Sequence, residues 1–294
     1  MTKAKRQMQE DIRLVDLVIE LLDARAPLSS RNPDIDIMAK DKSRLILLNK
    51  TDLADDNVTS EWIDYFDAIE LPVCSLNCKN ASDIKKLEPY IRQACKKKEE
   101  RDQKRGIKKR PVRAMVAGIP NVGKSTFINS YMKKAVAKTG NKPGVTKGKQ
   151  WVRLSPSLEL LDTPGILWPK FEDQEVGFRL AALGSIRDEI LNKQELACGL
   201  IRLLENRYPN MLEEYYGLEH ISDEEIFQNE GNIYVQPDAD ICILYKIAKV
   251  KGALRPGGVL DSEKAAAILL ENFRNGKIGK ISLESPDVDR RLNV

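Results

Sequence analysis

The chain has almost no histidine: His220 is the only one in 294 residues. That excludes metal clusters built from several imidazoles and removes most Ser–His and Cys–His catalytic arrangements within the chain. His220 itself is expected at the surface or as a capping residue. Cysteine is also sparse, at Cys74, Cys78, Cys95, Cys198 and Cys242. An odd count without paired Cys-x-x-Cys spacing argues against a disulfide framework and against a zinc site. No stretch approaches the roughly 20 apolar residues that span a bilayer. The longest runs, Leu14–Leu22 (broken by Asp16 and Glu20) and Leu45–Leu48, have strand length. The leader MTKAKRQMQED has no apolar signal core, and acids arrive early at Glu10 and Asp11. Neither secretion nor organelle import is expected, which leaves the cytoplasm and no membrane partner.

What is present suits a globular protein of two domains: 42% apolar residues and a net charge of only +4. The charge is unevenly placed. Between Cys95 and Arg113 ten Lys or Arg face three acids, a local charge of +7. A solvated helix and linker is one reading of that segment; the other is a surface for a polyanion such as RNA, shared with Lys246, Lys249, Lys251, Arg255, Lys264, Arg274, Lys277 and Lys280 of the last domain.

Periodicity predicts a short polar helix, then strands over Leu14–Asp23, Arg44–Asn49 and Leu71–Ser75, with helices over Asp55–Ile69 and Ser82–Lys98. A strand at Arg113–Ala117 feeds a Gly-rich turn and a helix from Lys124. Strands at Gln150–Leu154 and Leu158–Asp162 are joined by Ser155–Ser157. Alternating strands and helices imply a mainly parallel sheet covered on both faces. From Asp173 the period is helical, over Val176–Leu183, Ile190–Leu204, Ile241–Val250 and Ser262–Phe273. The expected organisation is an α/β domain over residues 1–172 and a smaller all-helical domain over residues 173–294.

Gly118-Ile119-Pro120-Asn121-Val122-Gly123-Lys124-Ser125 fits G-x-x-x-x-G-K-[ST], between a strand and a helix as a phosphate-binding loop requires. Backbone N–H groups from Asn121, Val122, Gly123 and Thr126 would cradle phosphate oxygens at the positive end of the helix. Lys124 would neutralise β- and γ-phosphate, and the Ser125 hydroxyl would ligate Mg²⁺. Asp162-Thr163-Pro164-Gly165 ends a strand, so Asp162 can hold the metal's water and Gly165 can offer its N–H to a γ-phosphate. Thr146, in the polar loop Lys142–Lys147, can reach the metal while γ-phosphate is present and lose it afterwards. Lys124, Thr146 and Gly165 are the catalytic candidates.

Asn49-Lys50-Thr51-Asp52 follows the strand RLILLN. An Asp52 carboxylate beside a base accepts from guanine N1 and N2 together, which adenine cannot offer. Lys50 can lay its stem across the ring, and Asn49 can tie this turn to the phosphate loop. Ser75-Leu76-Asn77 would complete the base pocket. Base-reading residues thus precede phosphate-binding ones, the reverse of an ordinary small GTPase. The sheet survives if only the chain ends are moved. In this order the DTPG loop leads directly into the helical domain, so nucleotide state is expected to orient residues 173–294.

The pattern resembles the circularly permuted P-loop GTPases, and within them the ribosome biogenesis GTPase A (YlqF-type) family. The resemblance covers essentially the whole chain. It rests on Asp23-Ala24-Arg25 (DAR), NKTD at 49–52, GIPNVGKST at 118–126, KPGVT at 142–146, DTPG at 162–165 and the stretch Gly252–Leu283. It implies GTP hydrolysis during maturation of the large ribosomal subunit, contact with ribosomal RNA, and GTP or GDP with Mg²⁺ as ligands; a monomer is expected. In potassium-activated relatives the Asn matching Asn121 helps bind K⁺. Ile166 stands where many GTPases place a water-orienting Gln, which implies slow intrinsic turnover and stimulation by the ribosomal particle. Family members usually begin with an aromatic-Pro-Gly-His stretch, whose His is implicated in catalysis. This sequence starts at Met1, after the place of that stretch, so no general base is assigned. An alternative reading is a nucleotide-gated RNA-binding placeholder with negligible hydrolysis. A P-loop ATPase or small-molecule kinase is disfavoured by NKTD.

Overall fold

The computed structural model describes residues 3–107, 110–139, 151–161, 173–186, 192–222, 226 and 238–286. The chain divides into two compact units, residues 1–172 together with 281–294, and residues 173–280.

In the first unit, α1 (Lys3–Leu14) leads to β1 (Leu17–Asp23), and two short helices follow, α2 (Pro27–Ser30) and α3 (Asp34–Met38). Then come β2 (Ser43–Asn49), α4 (Asp56–Ala68), β3 (Val73–Leu76), α5 (Ala81–Lys85) and α6 (Leu87–Lys104). β4 (Val112–Ala117), α7 (Lys124–Thr139), β5 (Trp151–Ser155) and β6 (Leu158–Leu161) complete it. The six strands lie in the order β3-β2-β1-β4-β6-β5, all parallel except the β5–β6 pair. The first three strands wind outward from β1; on its other side β4 lies next to β1, β5 takes the edge and β6 returns between them. The direction reverses between β1 and β4, and the crevice at the carboxyl ends there is the place where open α/β sheets take ligands.

Burial follows from this topology. Every residue of β1 is buried, as expected of a central parallel strand covered on both faces. Two buried clusters lie along the sheet, one of Met8, Ile12, Val18, Ile35 and Met115, the other of Leu22, Ile46, Leu48, Trp62 and Phe66. The one acid in the middle of β1, Glu20, is also buried and is neutralised by Arg44 and by Arg31 at 3.2 Å. Charges enclosed in this way persist only when paired.

The strand expected from Leu14 starts at Leu17, because α1 runs on through Leu14. The single helix expected over Ser82–Lys98 is two helices meeting at Lys86. Pro89 has no N–H to give the Lys85 carbonyl, so one continuous helix would lose that bond, whereas Pro is tolerated in the first turn of a new one.

The second unit contains α8 (Gln174–Ala182), α9 (Lys193–Arg207), α10 (Met211–Tyr216), α11 (Ala239–Val250) and α12 (Ser262–Arg274). Among its described residues the regular elements are helices, apart from an isolated bridge between Leu254 and Leu260. α9 packs against α11 and α12, and Asn272 donates to the Tyr216 hydroxyl at 2.9 Å. His220 is exposed beside Glu219, 3.4 Å away.

The expected unit 173–294 differs from the structure at its end. Residues 281–286 belong to the first unit. The Ile281 N–H donates to the Leu53 carbonyl at 3.0 Å, and the Leu283 N–H to the Arg25 carbonyl at 2.7 Å. Ser282 Oγ accepts from the Asp55 N–H at 3.2 Å. Ile281, Ser282, Leu283 and Glu284 are all buried. Alternating apolar and polar side chains make this a strap suited to extended pairing rather than a helix.

Candidate nucleotide site

β4 ends at Ala117, and residues 118–123 turn the chain into α7, whose first bond runs from the Phe127 N–H to the Gly123 carbonyl at 2.8 Å. Two glycines are required here by space. A Cβ on Gly118 would stand 2.6 Å from the Leu21 carbonyl oxygen of β1. A Cβ on Gly123, whose φ is +105°, would stand 2.5 Å from Asn49 Nδ2. Ile119 and Val122 are buried and anchor the turn, while Asn121, at φ +60°, is exposed. Lys124 folds back so that Nζ donates to the Gly118 carbonyl at 2.7 Å. Burial pushes its ammonium down to about 8, as desolvation disfavours the charged form. Ser125 and Thr126 are exposed on the first turn of α7.

Asn49, at the end of β2, is buried and joins three loops. Its Nδ2 donates to the Val122 carbonyl of the Gly-rich turn at 2.6 Å. Its Oδ1 accepts from the Cys78 N–H, after β3, at 2.9 Å. Its main-chain carbonyl accepts from the Ala24 N–H at 2.8 Å. The next residue, Lys50, has φ +64°, and its carbonyl accepts from the Leu53 N–H at 2.9 Å, closing the turn. Thr51 is half-buried and Asp52 exposed. Ser75 is exposed on β3, in register with Leu48. The tie between the loop after β3 and the rest of the site therefore runs through Cys78 and not through Ser75.

The structure thus brings Asn49, Lys50, Val122, Gly123 and Lys124 together at the carboxyl ends of β1, β2 and β4. Thr146, Asp162, Gly165 and Ile166 lie outside the described residues. Two contributors were not anticipated as parts of this site. Asp23, the first residue of DAR, holds Arg25 and Lys50, both at 2.9 Å. Burial alone would raise its carboxyl, but the two cations hold it well below the usual carboxylate range. The other is the strap Ile281–Glu284, bound to both the DAR turn and the turn after Asp52. Its period-two pattern was visible in the sequence; its destination was not.

The basic segment is partly neutralised. Asp16 takes Arg110 through two bonds of 2.7 and 2.8 Å, and the Arg113 N–H at 3.0 Å. Lys98 pairs with Asp102 at 2.5 Å. Lys96, Arg101, Lys104 and Arg105 are exposed and form no ion pair among the described residues. In the second unit, Arg274 caps α8 by donating to the Ala181 and Ala182 carbonyls at 2.9 and 3.0 Å.

Residues 113–220 match the family model described as 50S ribosome-binding GTPase. Ribosome biogenesis GTPase A of Bacillus cereus is 44% identical over 98% of this chain and 92% of its own length. Its namesake in Thermotoga maritima is 32% identical over 97% of this chain and 92% of its own. Among solved structures, GDP-bound TM YlqF superposes with a TM-score of 0.65 at 25% identity, covering 96% of this chain and all of that one. GNP-bound YlqF from T. maritima gives 0.64 at 26%, covering 97% and 99%.

Proposed function

The chain belongs to the ribosome biogenesis GTPase A family, and on that premise we propose that it is a nucleotide-gated assembly factor for the large ribosomal subunit. It binds GTP and hydrolyses it. The observation that carries the reading is Asn49, one side chain that fastens the base-reading turn, the phosphate loop and the loop after β3 around a single crevice.

In that crevice the N–H groups of Asn121–Thr126 and the Lys124 ammonium hold the phosphates, and Gly165 meets the γ-phosphate. Lys124 must leave the Gly118 carbonyl to do so, exchanging a neutral acceptor for an anionic one. Asp52 reads guanine N1 and N2, with the Lys50 stem, Thr51 and the Ser75 loop enclosing the base. Ser125, exposed at the start of α7, suits the Mg²⁺ of such a site together with Thr146 and, through water, Asp162. The metal, when bound, neutralises charge on the β- and γ-phosphates. Asn121, exposed beside the phosphate positions, is the candidate K⁺ ligand. No residue of the chain is assigned as general base.

Ribosomal RNA is the partner proposed for Lys96, Arg101, Lys104 and Arg105 and for exposed lysines of residues 173–280, such as Lys264 and Lys277. Arg274 is excluded from that set because its guanidinium is used within the second unit.

The test is GTP turnover with and without large ribosomal subunits, in K⁺ and in Na⁺ buffer. Strong stimulation by the subunit, larger in K⁺, supports the reading. Ile166 favours a second reading, a placeholder that gates RNA binding without turnover. Tight GTP binding with no hydrolysis in any of the four conditions would select it.

A further inference from the structure

Asp23 stands at the end of β1, and the nucleotide chemistry above makes no use of it. Its side chain is 1% exposed. Arg25 meets it with two parallel bonds, Nε to Oδ1 and Nη2 to Oδ2, each 2.9 Å. A forked guanidinium of this kind already compensates a buried carboxylate. A second cation is nevertheless present, with Lys50 Nζ on Oδ2 at 2.9 Å.

The backbone fixes this meeting. Asp23 pairs with Asn49 in the β1–β2 register, and the Ala24 N–H donates to the Asn49 carbonyl. Lys50 then turns through φ +64°. Arg25 is held in turn through its carbonyl, which accepts from Leu283 of the strap. With Arg25 gripping both carboxylate oxygens in one plane, Oδ2 presents a fixed point to the lysine. The lysine head is thus tethered while 22% of its side chain stays exposed at the crevice.

We propose that Asp23 is a positioning residue for guanine recognition: by holding the Lys50 ammonium, it fixes the lysine stem as a rigid shelf for the base. This rests on the nucleotide reading given above. An untethered lysine would lose its rotamer freedom when the ligand arrived. Here that loss occurs on folding, so it does not count against binding. The three groups carry one net positive charge, so the ammonium has a partner without being neutralised by it alone.

The test is a double-mutant cycle on the full chain, with GDP affinity read by calorimetry for wild type, Asp23→Asn, Lys50→Met and the double variant. Asp23→Asn is expected to weaken GDP by up to about tenfold, the scale of one immobilised long side chain. Lys50→Met weakens it at least as much, and the double variant is no weaker than Lys50→Met alone. A purely structural Asp23 would lower GDP affinity equally in both backgrounds, and that additivity overturns the proposal, as does unchanged affinity in Asp23→Asn. If the wild type bound no GDP, the guanine reading would fail and take the proposal with it; if only Lys50→Met bound GDP unchanged, the proposal alone would fail, because the guanine reading rests on Asp52. A measurement on wild type covers the case in which Asp23→Asn does not fold. The Lys50 ammonium, assigned by its loss in Lys50→Met, gives a slowly exchanging ¹⁵N signal if tethered. Exchange as fast as that of surface lysines contradicts the tether.

Discussion

Glu284 has a carboxylate that is fully buried in the first unit although it follows the whole second unit in sequence. Oε1 accepts from the Leu28 N–H at 2.5 Å and the Ser29 N–H at 3.1 Å, and Oε2 from the Ser29 hydroxyl at 2.5 Å. Glu284→Ala leaves these donors without their acceptor, and Ser29 is itself completely buried. Each orphaned buried donor costs about 1–3 kcal/mol, and water entering the vacated space returns part of it. The expected loss is roughly 3–5 kcal/mol, at the extreme of what single substitutions do. With a urea slope of about 2 kcal/mol per molar, the midpoint falls by roughly 2 M.

Tryptophan fluorescence is the assay, because Trp62, Trp151 and Trp168 all lie within residues 1–172. Trp62 is a direct reporter, since its Nε1 donates to the Glu284 carbonyl at 3.4 Å. Glu284→Gln keeps one acceptor oxygen for the backbone donors and recovers about half of the loss. A midpoint for Glu284→Ala within about 0.3 M of wild type would refute the conclusion that the strap is an integral part of the first unit.

Gly123→Ala forces a Cβ to within 2.5 Å of Asn49 Nδ2 at φ +105°. Backbone strain plus the displaced Asn49 bond predicts a GDP affinity about a hundredfold lower by calorimetry, with the unfolding midpoint changed far less. Lys124 makes nucleotide binding depend on pH. Its folded value of about 8 lies below the ordinary 10.5, so the free protein gives up this proton between those values, and phosphate draws it back. GDP affinity should therefore fall as pH rises above about 8, with proton uptake seen calorimetrically in buffers of different ionisation heat, and Lys124→Met should remove both effects. By the same linkage, Lys124 penalises the free fold below about pH 8, and the penalty fades as pH rises toward 10.5. Replacing Lys96, Arg101, Lys104 and Arg105 together by Ala should flatten the salt dependence of ribosomal RNA binding by about three to four in log–log slope. An unchanged slope would remove that face of α6 from the interface.

The strands were legible because their signals are local. RLILLN is an apolar run ended by Asn-Lys, and it is a strand from Ser43 to Asn49. The Gly-rich turn was legible because its glycines answer to backbone clashes that recur wherever such a loop meets a strand. The break at Lys86 was also local, in Pro89, but the apolar stripe Ile84, Leu87, Ile91 and Ala94 ran straight across it. Long-range choices of partner were hidden. Nothing in Ile281-Ser282-Leu283-Glu284 says which backbone it meets, and the helical period before it suggested continuity with residues 173–280. Likewise DAR does not announce that its Asp takes a lysine from the turn after the next strand, nor does a lone Arg274 show that it caps α8.

The central claim is that a guanine base is read by Asp52 at this crevice, and the most direct measurement is base preference in wild type and in Asp52→Asn. Xanthine carries a carbonyl where guanine carries its 2-amino group, so an amide side chain can donate where the carboxylate accepted. The account predicts that wild type prefers GDP over XDP and ADP, and that Asp52→Asn prefers XDP. Tighter binding of ADP by wild type, or a GDP preference that survives Asp52→Asn, would contradict it.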